Sequence, residues 1–68
     1  MVAEERGDFR YEVLIEQPHG WIPAWPQSEF ETDSGAVLLA QGLRTDGEIV
    51  KIDKYHAATN MHVGQVSF

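Results

Sequence analysis

The chain contains no cysteine. Disulfides and thiolate zinc centres are therefore excluded as sources of stability. That exclusion matters at 68 residues, because a domain of this size hides only ~60% of the surface its unfolded chain exposes. Packing and self-association are the remaining sources. Long apolar runs are also missing: none approaches the ~20 residues of a membrane span. Met1-Val2-Ala3-Glu4-Glu5 has neither the basic start nor the apolar core of a signal peptide. A cytoplasmic protein is expected.

Positive charge is scarce. Five Lys and Arg stand against eleven Asp and Glu, giving a net charge of −6. Residues 1–33 hold eight of the acids and only Arg6 and Arg10, so they carry the whole imbalance. Binding to nucleic acid or to anionic lipid draws its affinity from Lys and Arg, so neither is expected as a partner. The plainest use of the charge is solubility.

Motifs of catalysis and metal binding are missing as well. Ser28, Ser34 and Ser67 occur without a Gly-x-Ser-x-Gly elbow. The acid pairs Glu4-Glu5 and Glu29/Glu31 lie in segments read as exposed, where burial would not raise a carboxyl pKa. A domain this small is also expected to lack room for a pocket of several hundred Å3. His19, His56 and His62 show no His-x-x-x-His spacing. His56 and His62, with Asp53, leave a weak metal or small-ligand site as an alternative. No catalytic residue, resident metal or cofactor is expected.

Turns and periods are what the sequence does contain. Residues 1–8 read as a flexible acidic tail, and 9–68 as one domain. Phe9, Tyr11, Val13 and Ile15 alternate with Arg10, Glu12 and Glu16, the period of a half-buried strand; Leu14 places an aliphatic group on the polar face. Gln17-Pro18-His19-Gly20 suits a type I turn, returning the chain as a hairpin from Trp21. Pro23 and Pro26 keep that second strand short and at an edge. Thr32 is the preferred N-cap of a helix. Ala36, Leu39, Ala40 and Leu43 form its buried stripe, and Gly47 ends it. Gly42 inside the helix costs ~1 kcal/mol relative to Ala, a cost that close packing on the sheet would explain. A strand over Glu48–Tyr55 is expected to turn Val50 and Ile52 to one side and Ile49, Lys51, Asp53 and Tyr55 to the other. A long connection over His56–Gly64 and a last strand over Gln65–Phe68, with Val66 and Phe68 inward, complete the chain. The result is a small two-layer α+β fold of order β-β-α-β-β: one mostly antiparallel sheet with a single helix on one face.

This rhythm resembles a loose group of short bacterial and phage proteins. The residues that carry the likeness are Gly20-Trp21, Phe30-Glu31-Thr32, Ala36, Ala40, Leu43-Arg44, Gly47, Val50, Ile52, Gly64 and Val66. The chain departs from the group at Gly35, where an acid is usual, and in the loop over residues 56–63. The resemblance implies the fold and brings no activity with it.

Contact residues are the remaining functional signal. Leu14, Ile49 and Tyr55 fall on the helix-free sheet face and are expected to form an apolar strip there. Trp21 and Trp25 are of the type enriched at binding hot spots. Both can also be core; core is the preferred reading for Trp21, and neither is preferred for Trp25. These five residues suggest a protein-interaction module, with a homodimer as one form of it. An acidic inhibitor docked on the basic groove of a nucleic-acid enzyme is the alternative.

Overall fold

The computed structural model describes residues 8–68. The expected tail therefore lies outside the described residues except for Asp8, whose carbonyl accepts the Ala57 N–H at 3.0 Å. The elements are β1 (Phe9–Gln17), β2 (Gly20–Pro23), β3 (Glu29–Phe30), α1 (Asp33–Thr45), β4 (Val50–His56) and β5 (His62–Gln65). The fold is α+β, with one antiparallel sheet and a single helix among the described residues. The strands run in the order β2-β1-β4-β5, and β3 also pairs with β1.

β1 is the organising strand. Along one edge Val13 lies opposite Ile52, and Ile15 opposite Val50. Along the other edge β2 and β3 follow one another: Leu14 to Gln17 meet β2, and Tyr11 and Glu12 meet β3. β3 was not expected, because two residues carry no periodic signal. The turn forms where the sequence places it, with Gln17 opposite Gly20. Asn60 is the only described non-glycine at positive φ, so His19 is at negative φ. That excludes a type II turn and agrees with type I, and Gly20 takes up the exit at φ +125°.

The helix ends match the sequence signals. Thr32 Oγ1 accepts the Gly35 N–H at 3.2 Å, satisfying a donor that the first turn leaves free. At the other end Gly47, at φ +98°, donates to the Arg44 carbonyl, and Glu48 donates to that of Leu43. These two bonds are a Schellman closure.

Tyr11, Val13, Ala24, Ala36, Ala40 and Ile52 form the buried core. Leu39 and Leu43 pack against it, as the helical stripe predicts. The helix sits close to the sheet through Ala36 and Ala40, both fully buried. Gly42 has no such role: a Cβ built there meets nothing within 4 Å.

The C-terminal expectation is displaced. β5 begins at His62, three residues earlier than predicted, after a tight return in which the Asn60 N–H bonds to the His56 carbonyl at 2.7 Å. Val66 and Phe68 lie beyond the strand, yet both pack on the core. Arg44 holds this end, stacking 4.1 Å from the Phe68 ring centroid and donating to the Phe68 carbonyl.

Candidate functional site

On the helix-free face, cross-strand register brings carboxylates together. Glu29 lies opposite Glu12, and Glu12 opposite Asp53, making a row across β3, β1 and β4. Like charges directly opposite one another repel. Neighbouring cations offset this: Arg10 lies 3.5 Å from Glu29 and Lys51 3.7 Å from Asp53; the His62 ring adds a hydrogen-bond contact, with Nε2 3.2 Å from Asp53 Oδ1. Asp53 is buried, and these partners sit where a buried carboxylate needs them.

The expected apolar strip is therefore not continuous. Lys51 and Asp53 divide it, with half-buried Leu14 opposite Lys51 and Tyr55 beyond Asp53. Tyr55 is covered by Arg10, whose guanidinium carbon is 4.5 Å from the ring centroid, and meets His62 edge-on. Ile49 is exposed at the far end. Alternation placed Leu14 and Tyr55 on the face the register gives them; it could not show that Arg10 folds over Tyr55.

Burial raises the Tyr55 pKa above 10.0, with Asp53 and then Glu12 adding to the rise and Arg10 opposing it. Burial also raises that of Tyr11, helped by Asp33. A phenol whose pKa is raised on folding favours the neutral native form, so its contribution to stability is complete below pH 10.0, the unfolded value, and is lost as pH rises through the folded value. In a spectroscopic alkaline titration, Asp53→Asn should lower the Tyr55 midpoint and Arg10→Ala should raise it. If neither variant moved the midpoint, the charges assigned to this face would be misplaced.

Of the tryptophans, Trp21 lies on this same face, opposite Glu16. Trp21, expected in the core, is 40% exposed and carries Lys51 over its ring at 4.6 Å. Trp25 is 82% exposed. It projects from residues 24–28, which leave the sheet between β2 and β3. Both flanks of this excursion are fixed to one residue of β1: the Ala24 N–H donates to the Val13 carbonyl at 3.0 Å, and the Val13 N–H donates to the Ser28 carbonyl at 2.8 Å. Ala24 is buried, so the main chain is anchored just before the exposed ring.

The cations share one arrangement. Arg10, Arg44, Lys51 and Lys54 each lie over an aromatic ring. Trp25 has no cation over it among the described residues, although it is the most exposed of the large hydrophobic side chains.

The histidines do not converge. His19 is exposed in the β1–β2 turn, His56 tilts on Phe9 on the helix side, and His62 lies on the opposite face with Asp53. Among the described residues no group of three His, Cys, Asp or Glu could hold a metal ion. Contrary to the expectation from size, there is an open concavity of about 680 Å3 beside α1, bordered by Phe30, Gly35, Leu38, Leu39 and Leu43. Its lining contains no acid–base set. Among the described residues no helix is long and apolar enough to cross a membrane.

No protein-family model, no curated protein and no solved structure matches this chain.

Proposed function

We propose that the protein is a cytoplasmic interaction module that docks on a basic protein surface, with Trp25 as its anchor. The observation that carries this reading is a tryptophan 82% exposed on a loop whose two flanks bond to Val13. An aromatic held out by a fixed backbone loses little freedom on binding, and tryptophan is enriched at binding hot spots. Charge supports the kind of partner. The chain engages its described cations on its own aromatic rings, while Glu16, Glu29, Glu31 and Asp33 remain exposed. A basic surface complements that pattern and is steered toward it. An acidic inhibitor would be one form of such a module.

The test is affinity capture on the immobilised protein beside its Trp25→Ala variant, each eluted with a salt gradient. A Lys- and Arg-rich protein should be retained by the native chain, be released as salt screens the contact, and be lost from the variant. Identical captured sets on both surfaces would remove Trp25 as the anchor. Salt-insensitive retention would remove the basic partner.

A further inference from the structure

The two outer edges of the sheet differ in how they meet solvent. At the β2 edge Pro23 lacks an N–H and the chain departs into the Trp25 excursion, so the edge is blunted. At the β5 edge neither proline nor such an excursion is present among the described residues. Among the described residues β5 pairs only with β4. The Val66 N–H is turned toward β4, to the Ile52 carbonyl at 3.0 Å, so alternation turns the N–H and carbonyl of Gln65 outward. Beside that free edge Met61 is 63% and Val63 47% exposed.

Edge strands are ordinarily protected from pairing by charge, proline or a covering element. From Tyr55 to Phe68 there is no Asp, Glu, Lys, Arg or Pro. In a chain that is 24% charged, a stretch of that length would ordinarily carry about three charged residues.

We infer that β5 pairs antiparallel with the β5 of a second copy of this chain, joining two sheets across a twofold axis. The outward backbone groups of Gln65 call for a strand. The missing charge indicates which strand: two chains of net charge −6 repel on most approaches, and this edge lets them meet without facing carboxylates. A twofold contact is self-complementary; centred on Gly64, it sets Val63 of each copy opposite Gln65 of the other, with Met61 at the margin. Because β5 has only four residues, the contact is small and the association weak and concentration-dependent.

The experiment is molar mass by light scattering after size exclusion, with loading from about 10 μM to about 1 mM so that mass action is visible. The native chain should rise from 7.7 kDa toward twice that mass. The Gln65 amide should gain protection from hydrogen exchange over the same range. Val63→Lys and, separately, Gln65→Lys should weaken the dimer about tenfold or more, with unchanged circular dichroism; two variants are used in case one disturbs the β4–β5 hairpin. Trp25→Ala should dimerise like the native chain. The inference is overturned if the native chain stays monomeric throughout, if both lysine variants dimerise as the native chain does, or if Trp25→Ala alone abolishes the dimer.

Discussion

Ile52→Ala should cost about 3 kcal/mol of stability, within the range for emptying a fully buried aliphatic site. Ile52 has no exposed surface, stands opposite Val13 and lies in the layer that receives Ala36 and Ala40. A domain of this size has only about 3–10 kcal/mol in total, so the substitution removes a large share of it. For a chain this short the melting temperature should fall by about 15 °C, and the variant could be unfolded at room temperature. Ile49 supplies the comparison. It is 62% exposed, and Ile49→Ala should stay within about 0.5 kcal/mol. The pair also tests register, because a one-residue slip of β4 would exchange its faces. Urea unfolding of both variants reads the difference directly; equal losses would show that β4 does not present Ile52 to the helix.

Ala40→Leu should destabilise by about 1–3 kcal/mol through overpacking. The helix lies on the sheet through Ala36 and Ala40, neither of which has exposed surface. Three further carbons have no place to go unless the helix lifts away, and lifting it would expose Val13 and Ile52. Gly42→Ala is the opposite case. Open space surrounds that Cβ position, so the substitution should stabilise by about 1 kcal/mol through helix propensity alone. Thermal melts of the two variants should therefore move in opposite directions. A destabilising Gly42→Ala would mean that the glycine face of α1 is covered in solution, and a tolerated Ala40→Leu would place the helix farther from the sheet than described.

Local signals in the sequence survive intact in the structure. The alternation of Phe9 to Ile15, the Pro18–Gly20 turn, the Thr32 cap and the Gly47 stop each act within a few residues, through φ preferences and nearby hydrogen bonds. Together they determine one helix between hairpin-forming strands, and with that the α+β class. The helical stripe of Ala36, Leu39, Ala40 and Leu43 was legible for the same reason: a period of 3.6 belongs to the helix itself.

Pairing between distant residues was decided only by the tertiary structure. β3 exists because Glu29 and Phe30 reach Glu12 and Tyr11, and β5 starts at His62 because the hairpin return closes between His56 and Met61. Neither choice leaves a periodic mark in the sequence. Alternation assigned Asp53 to the helix-free face, but only the register sets it beside Glu12 and within reach of Lys51 and His62. Exposure of the tryptophans has the same origin. Hydrophobicity alone favours burying Trp21; its place on an outer strand leaves it part-exposed under Lys51, and the Val13 bonds that fix residues 24 and 28 leave the Trp25 ring in water. Composition sets how much apolar surface a chain carries, whereas edge position and register determine which part of it stays uncovered.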